Sequence, residues 1–262
     1  MRGSLRIVAP PPYFPTVGSV LATKLLYPPA TTSVSSLVAF GAGSQIKSHV
    51  SQLLATYTSI ARVTIVNRTI NDRVNALLGS LSADHPTARF VAIPSVDDLV
   101  GKVESAVREA DFVCCATSST TPLFRSEWVR PGTHVILVGS YKPEMAEVDA
   151  TLIRRARILV DSRSACALEA GELINAGLAP GDMVEVGELL LRSTPAQDGK
   201  WTAEVDVARV AEVLSKKDVT IFKSVGLGAQ DVAISVAVVE RAVEMGIGSR
   251  IPDWDGRGPA QW

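Results

Sequence analysis

The chain has 262 residues, of which 47% are hydrophobic and 20% charged, and its formal net charge is −1. This composition fits one globular domain, with or without appendages, and supplies ample apolar content for a core. The near-neutral charge excludes the basic footprint of a nucleic-acid-binding protein, and no apolar run in the sequence reaches the length of a membrane span.

The predicted elements begin with a helix over Thr16–Leu26, which "YPPATTS" ends. From Ser36 onward, short apolar runs alternate with amphipathic stretches, a pattern that predicts an α/β fold with a doubly wound parallel sheet. The predicted strands are 37–40, 63–66, 90–93, 111–116, 134–139, 157–161 and 219–224. The predicted helices between and after them are 44–57, 71–82, 97–110, 149–156 and 228–246.

The cysteines are three in number, and two of them are adjacent: Cys114, Cys115 and Cys166. This pattern favours buried thiols in a reducing compartment over a disulfide framework, so we expect a cytoplasmic protein. No histidine or carboxylate stands at ligand spacing, and we predict no metal site. An organelle transit peptide is an alternative, since the first acidic residue is Asp72, but the start is rich in proline and poor in arginine.

The stretch "LVAFGAGSQI" places a glycine-rich turn between a strand and a helix. Gly41 would allow the tight turn, and Gly43 would let a pyrophosphate approach the backbone. The amides of Ser44 and Gln45 would then face the phosphates at the helix N-terminus. The third position of the dinucleotide fingerprint holds Ile46 instead of Gly or Ala, and a plain helix-start turn is the alternative reading.

The end of the second strand indicates which dinucleotide would bind. An NAD site usually carries an Asp or Glu there, whereas "VTIVNRT" ends in Asn67, Arg68 and Thr69. A guanidinium can pair bidentately with a 2′-phosphate, so we expect NADPH rather than NADH. A solvated loop arginine is the alternative.

Several segments together resemble the ornithine cyclodeaminase/mu-crystallin family, and the resemblance is closest to its mu-crystallin (ketimine reductase) side. They are "SVLATKLL", "FGAGSQIKSH", "VNRT", "ADFVCCATSSTTPLF", "WVRPGTHVILVGSYKPEMAEVD", "RARILVDSRSACALEAGEL", "VEVGELL" and "TIFKSVGLGAQDVAISVAVVERA". They occur in family order from about Ser19 to Ala242. The resemblance implies a Rossmann-type NADP-binding domain and a nicotinamide-dependent enzyme acting on amino acids or cyclic imino acids.

The resemblance also implies the residues that bind the cofactor. The pyrophosphate would be held by Gly41, Gly43, Ser44 and Gln45, and the 2′-phosphoribose by Asn67, Arg68 and Thr69. Residues along the cofactor and around the nicotinamide would be Ala116, Thr117, Ser118, Val138, Gly139, Ser140, Ser224, Val225 and Gly226. All of the latter follow apolar strands, as cofactor-binding residues of parallel sheets do, although ordinary turn residues would look the same.

The family pattern fails at the amino-terminal end. Family members carry an N-terminal substrate domain, and we expect most of it to be missing here. A family arginine that binds the substrate carboxylate aligns with Phe14, followed by Pro15. We therefore expect residues 1–35 to be a remnant of that domain with its linker helix, residues 36–227 the Rossmann domain, and residues 228–262 a C-terminal helix and tail.

The cyclodeaminases proper use an aspartate for proton transfer two residues after the glycine of "VG", where this chain has Tyr141. Tyr141 could donate a proton and Lys142 could bind a carboxylate, or both could be exposed turn residues. The three histidines, His49, His85 and His134, are expected to have structural or surface roles. No catalytic residue is therefore assigned.

The final helix carries an apolar stripe of Val232, Ile234, Val236, Val239 and Val243. In the family this helix packs on the substrate domain. Without that domain the stripe would be exposed, so we expect a homodimer to cover it, with aggregation as the alternative.

The leading functional hypothesis is an NADP(H)-dependent oxidoreductase that reduces the C=N bond of an amino-acid-derived cyclic imine, giving a cyclic amino acid. Its small-molecule substrate would be an imino or amino acid or a related metabolite. Two alternatives stay open: a protein that binds NADPH without turnover, and an ornithine cyclodeaminase-like enzyme or its inactive truncated relative.

Overall fold

The computed structural model describes residues 14–96, 101–191 and 204–248, without the side chains of Phe14, Pro15, Ala229, Gln230 and Ile234. Its strands are β1 (Ser36–Phe40), β2 (Arg62–Asn67), β3 (Arg89–Pro94), β4 (Phe112–Cys115), β5 (His134–Leu137), β6 (Arg157–Val160), β7 (Met183–Glu185), β8 (Leu190–Leu191), β9 (Glu204–Val205) and β10 (Thr220–Lys223). Eight of them form one sheet in the order β3-β2-β1-β4-β5-β10-β6-β7, and every pair in it is parallel. The short strands β8 and β9 pair antiparallel in a separate ribbon.

Helices connect the parallel strands. They are α1 (Phe14–Leu26), α2 (Ser44–Thr56), α3 (Asp72–Asp84), α4 (Lys102–Glu109), α5 (Ala150–Arg155), α6 (Arg163–Glu169), α7 (Gly171–Asn175), α8 (Val207–Ser215) and α9 (Gly228–Glu244). Within the described ranges, no helix is both long enough and apolar enough to cross a membrane.

The sheet is covered on both faces, which is why its central strands are apolar throughout. In β1, Val38 and Phe40 pack into one buried cluster, while Leu37 and Ala39 pack into the cluster on the opposite face. Side chains alternate between the faces of a strand, so a strand buried on both sides needs an apolar residue at every position. The prediction of a doubly wound parallel sheet is confirmed.

Two details refine the predicted elements. Cys114 and Cys115 are buried free thiols in β4, one on each face of the sheet, which confirms their assignment to the strand core. Strand β3 is not buried on both faces: it lies at the edge of the sheet, and Val91 is 36% exposed.

The predicted helix over 97–110 is described only as Lys102–Glu109, since residues 97–100 lie outside the described ranges. The domain boundaries at residues 35 and 227 stay predictions.

Helix α1 packs against the sheet domain through a buried polar stripe. Its Ser19 hydroxyl lies 3.0 Å from Nε2 of His49 on α2, and its Thr23 hydroxyl lies 3.1 Å from Nε2 of His134 on β5. His134 is bound on its other side by Thr220, 2.8 Å from its Nδ1. Both histidines are fully buried, so their roles in this region are structural, as the sequence predicted.

Burial lowers the pKa of His49 to about 4 and that of His134 to about 3. In the unfolded chain both rings titrate near 6.5, so between about pH 6.5 and 4 the unfolded state binds more protons. We therefore expect the free energy of unfolding to fall with decreasing pH in that window, by about 1.4 kcal/mol per pH unit for each histidine. Urea unfolding at pH 7, 6 and 5 measures this slope.

A double variant, His49→Gln with His134→Gln, should flatten that slope whatever its absolute stability. The matched control is His85→Gln, because His85 lies at the end of α3 and is only partly buried. If the free energy of unfolding of the double variant depends on pH as steeply as that of the wild type, these two rings do not control acid stability.

Candidate functional site

The sheet has a reversal of strand order at β1, where β2 and β3 lie on one side and β4 and β5 on the other. Loops that leave the carboxyl ends of neighbouring strands diverge at such a point and open a crevice. The loop between β1 and α2, residues 41–43, lies at this crevice. The predicted glycine turn therefore stands at the place where parallel α/β folds bind ligands.

Gly41 needs to be a glycine for two reasons. Its backbone φ is +112°, a value that residues with a side chain rarely adopt. A Cβ at Gly41 would also lie only 3.0 Å from the carbonyl oxygen of Ala116, in the loop after β4. Its amide donates to the carbonyl of Val66 at 2.8 Å, which anchors the turn to β2. Only residues 41–43 separate β1 from α2, so the chain has to turn tightly there.

In the described part of the chain, the space around Gly43 is empty, whereas other atoms lie close to Gly41. It is the N-cap of α2, with φ −90° and no side-chain hydrogen bond to the helix, and no acidic residue occupies the first turn of α2. A Cβ at Gly43 would meet no described atom within 4 Å. The first-turn amides and the helix dipole therefore face free space that suits an anion approaching the backbone.

Two cavities lie on either side of this loop. The first, of about 300 Å³, is lined by Gln45, Ala116, Thr117, Ser118, Val138, Gly139, Tyr141, Ser224, Val225 and Gly226. The second, of about 420 Å³, is lined by Ala42, Asn67, Arg68, Thr69, Asn71, Arg73 and Val96. We call them the inner cavity and the arginine cavity. Since Gln45 lines one and Ala42 the other, the helix N-terminus lies between them.

This arrangement fits an extended dinucleotide. The space at Gly43 would take the pyrophosphate, and one cavity is available for each nucleoside. Gln45 also has a buried side-chain oxygen, Oε1, without a hydrogen-bond partner in the described part of the chain. An acceptor oxygen left unpaired in a residue of the cavity wall is a group that a donor on a bound ligand can satisfy.

The structure brings together nearly all the residues predicted to lie along the cofactor and around the nicotinamide. Eight of the nine line the inner cavity: Ala116, Thr117, Ser118, Val138, Gly139, Ser224, Val225 and Gly226. Ser140 is buried, and its hydroxyl donates to the carbonyl of Met145 at 2.9 Å. The hydroxyl of Ser140 therefore supports the loop after β5 instead of facing a ligand.

The arginine cavity contains the three residues predicted for the ribose end, and it adds a second guanidinium. The Asn67 side chain donates to the carbonyl of Thr69 at 2.8 Å, which shapes the turn that carries Arg68. Arg73, on the first turn of α3, lines the same cavity. Among the described residues, neither arginine forms an ion pair with a carboxylate. Both charges are available to an anionic ligand.

Glu147 supports the wall of the inner cavity and was not expected from the sequence. It is fully buried, and its Oε1 accepts hydrogen bonds from the amide and the hydroxyl of Thr117, at 2.6 and 2.9 Å. Its Oε2 accepts from the amide of Gly139 at 2.8 Å. Burial raises the pKa of Glu147, while Lys223 and these hydrogen bonds act in the opposite direction. One carboxylate thus joins the loop after β4 to the end of β5.

Asp161 does the same for the opposite wall. Its Oδ2 accepts hydrogen bonds from the Ser224 hydroxyl at 2.7 Å and from the amides of Gly226 and Val225 at 2.9 and 3.2 Å. Asp161 directly follows β6, so its place at a strand end was a signal the sequence offered. Glu147 offered no such signal, because it lies in an irregular loop.

A buried ion pair lies beneath this second wall. The ammonium of Lys223 in β10 is 3.0 Å from Oε1 of Glu172 in α7, and both side chains are completely buried. The contact falls outside hydrogen-bond geometry, so it is an electrostatic pairing. A lysine inside the apolar run "TIFKS" was a visible anomaly, because lysines are rarely buried without a partner.

Tyr141 and Lys142 both lie in the loop after β5. Tyr141 lines the inner cavity and is 52% exposed. It is therefore an exposed loop residue, and its role as a proton donor stays a prediction. The Lys142 ammonium lies 5.8 Å from the centre of the Tyr141 ring. The side chains of Phe14 and Pro15, at the position of the family's carboxylate-binding arginine, lie outside the described residues.

Comparison with known proteins identifies relatives along most of the chain. The ornithine cyclodeaminase/mu-crystallin family matches residues 16–246. Ketimine reductase mu-crystallin of Mus musculus is 31% identical over 223 residues, which are 85% of this chain and 59% of that protein. Delta(1)-pyrroline-2-carboxylate reductase of Colwellia psychrerythraea is 32% identical over 230 residues, 86% of this chain and 64% of that protein.

Solved structures share the fold. Thermococcus litoralis Delta(1)-pyrroline-2-carboxylate reductase, in complex with NADH and L-proline, superposes with a TM-score of 0.71 at 22% identity, covering 91% of this chain and 66% of that one. A probable ornithine cyclodeaminase from Bordetella pertussis gives a TM-score of 0.66 at 26% identity, covering 90% of this chain and 67% of that one.

The chain spans 59% and 64% of the length of the two curated relatives described above. The prediction that most of the family's substrate domain is missing stays a prediction. The match nevertheless extends over the glycine turn, both cavities and helix α9. By sequence and by fold, this chain belongs to the ornithine cyclodeaminase/mu-crystallin family.

Proposed function

We propose that this protein is an NADP(H)-dependent reductase of C=N bonds in amino-acid-derived cyclic imines. The observation that carries the proposal is the pair of cavities on either side of an open helix N-terminus. The names of two relatives, a ketimine reductase and a pyrroline-2-carboxylate reductase, support this class of substrate.

The residues of this chain would each have a limited part in the reaction. A bound nicotinamide supplies the hydride, which is chemistry that the protein itself does not provide. Gly43 and the first turn of α2 would hold the pyrophosphate, and Gln45 would offer a side-chain amide beside it. Tyr141 is the phenol in the inner-cavity wall, and we propose that it holds a proton near the imine nitrogen.

We expect the purified protein to consume NADPH when given a panel of five- and six-membered cyclic imino acids, and the Gly43→Val variant to show no such activity. A Cβ at Gly43 would meet no described atom within 4 Å, so the new side chain can enter the pyrophosphate space. The variant should still melt in one cooperative transition, at a temperature lowered only by the poorer N-cap residue. Absorbance at 340 nm and thermal melting give the two readings.

The matched control is Gly79→Val, at a position in α3 that is equally open. It should keep full turnover. If Gly43→Val turns over NADPH like the wild type, the pyrophosphate is not bound at α2.

The second candidate function is NADPH binding without turnover. One observation favours it: none of the described residues that line the inner cavity carries a positive charge to hold a substrate carboxylate. If the wild-type protein binds NADPH tightly but reduces none of the imines in the panel, this alternative is supported.

The choice of NADPH over NADH rests on the arginine cavity. Among the residues that the structure describes, its lining contains two guanidinium groups and no carboxylate. A carboxylate there would favour two free ribose hydroxyls, whereas guanidinium groups favour a 2′-phosphate. Asn67 and Thr69 add polar groups at the same edge.

We expect the wild type to bind NADPH more tightly than NADH, and Arg68→Ala to weaken NADPH binding by roughly 10- to 100-fold, the effect of losing hydrogen bonds to a charged group. NADH binding should hardly change. Quenching of tryptophan fluorescence measures both dissociation constants. Arg89→Ala is the control, because Arg89 begins β3 and so lies at the amino-terminal ends of the strands, away from the carboxyl ends that border the cavity. Equal loss for the two cofactors would contradict the assignment.

We also propose a homodimer that covers the apolar face of α1 and α9. The two helices are in contact. On α9, Val232 is 66% exposed, Val236 51% and Val243 75%, and on α1 Val17 and Leu21 are 49% and 45% exposed. Such a contiguous apolar surface is unusual for a monomer.

Light scattering after size exclusion should therefore give the mass of two chains at micromolar concentration. A Val236→Asp, Val243→Asp variant should give the mass of one chain and still melt cooperatively, at a lower temperature because the stabilisation by the partner subunit is lost. A monomeric wild type would contradict the proposed dimer and leave the cofactor site untouched.

A further inference from the structure

The inner cavity has an unusual arrangement of backbone amides. Those of Thr117 and Gly139 donate to Glu147, behind one wall, and those of Val225 and Gly226 donate to Asp161, behind the other. Four amides at the carboxyl edge of the sheet therefore point away from the cavity, toward carboxylates. A cavity built for an anion would show the reverse orientation.

Among the described residues around the cavity, carboxylates outnumber ammonium groups. Within the described part of the chain, no lining residue is a lysine, arginine, aspartate or glutamate. Behind the walls, the described residues supply three carboxylates, those of Glu147, Asp161 and Glu172, and one buried ammonium, that of Lys223, which lies 3.0 Å from Glu172. The ammonium of Lys142 is exposed to water, 5.8 Å from the centre of the Tyr141 ring. Every hydrogen bond at Glu147 is donated to it, as an ionised carboxylate requires. The walls therefore carry an excess of negative charge in a region that water screens poorly.

We propose that the inner cavity is matched to a positively charged ring, and that Glu147 and Asp161 are the positioning residues that set this preference. The inference rests on the proposed function, since the ring we assign is the oxidised nicotinamide.

The chemistry of the proposed reaction gives this preference a purpose. In the proposed reaction, a hydride (one proton with two electrons) would leave the reduced nicotinamide for the imine carbon, and the imine nitrogen would take the proton that we assign to Tyr141. The oxidised ring would then carry a positive charge. Negative charge behind both walls stabilises that product. The cavity would thereby favour hydride transfer to the imine through residues that touch neither reactant.

The test compares the dissociation constants of NADP⁺ and NADPH in the wild type and in Glu147→Gln, measured by titration calorimetry. We expect the ratio of the NADP⁺ constant to the NADPH constant to rise roughly tenfold, as one charge near a poorly screened site would give. The glutamine also places an N–H donor against the Gly139 amide. Such a geometric disturbance should weaken both cofactors alike and leave the ratio unchanged.

Glu144→Gln is the matched control, because it removes the same charge from the same loop at an exposed position. Its ratio should equal that of the wild type. Asp161→Asn should raise the ratio as Glu147→Gln does. Since Asp161 is only partly buried, this variant decides the question if Glu147→Gln fails to fold.

The outcomes separate the two proposals. A wild type that binds neither dinucleotide overturns the proposed function itself. A wild type that binds both, with an unchanged ratio in the folded variants, overturns this inference and leaves the proposed function standing. A ratio that rises in Glu147→Gln or Asp161→Asn, but not in Glu144→Gln, supports it.

Discussion

The reversal of strand order at β1 is the constraint on which the candidate site depends. Because β2 and β4 flank β1 on opposite sides, the loops after β1 and β4 separate and leave a crevice at the carboxyl edge. The free amides of α2 open into this crevice, and the two cavities extend from it along the sheet. Neither cavity would exist if consecutive strands simply followed one another across the sheet.

Strand ends at such a crevice create a second problem, since their backbone amides leave the hydrogen-bond ladder. Buried amides need partners, and an unpaired one costs about 1–3 kcal/mol. Here Glu147 and Asp161 supply the acceptors, each joining segments that are distant in the chain. The same two carboxylates thus hold the cavity walls rigid and determine the electrostatic potential inside them. Structural support and electrostatic preference arise from the same atoms.

Helix α1 illustrates how a helix can pack through polar groups. It buries Thr16, Ser19 and Thr23 against two histidines, while Val17 and Leu21 face outward. Buried hydroxyls of this kind are stable only when hydrogen-bonded, so the neutral imidazoles are needed for α1 to pack there. The last turns of α1 still bury Ala22, Leu25 and Leu26 in the core, while Val17 and Leu21 are left on a surface shared with α9.

The sequence by itself determined the parallel strands, the glycine turn with Gly41 and Gly43, and Arg68 at the end of β2. These signals are local, because periodicity, φ requirements and strand ends can be read from neighbouring residues. Only the tertiary structure decided the exposure of β3, the presence of Arg73 beside Arg68, and the partners of Glu147 and Glu172. Those features depend on which strands become neighbours, and contacts such as Glu147 with Thr117 join residues 30 positions apart. Apolar patterning specifies that a strand is buried, but it carries no information about which distant carboxylate will accept its amides.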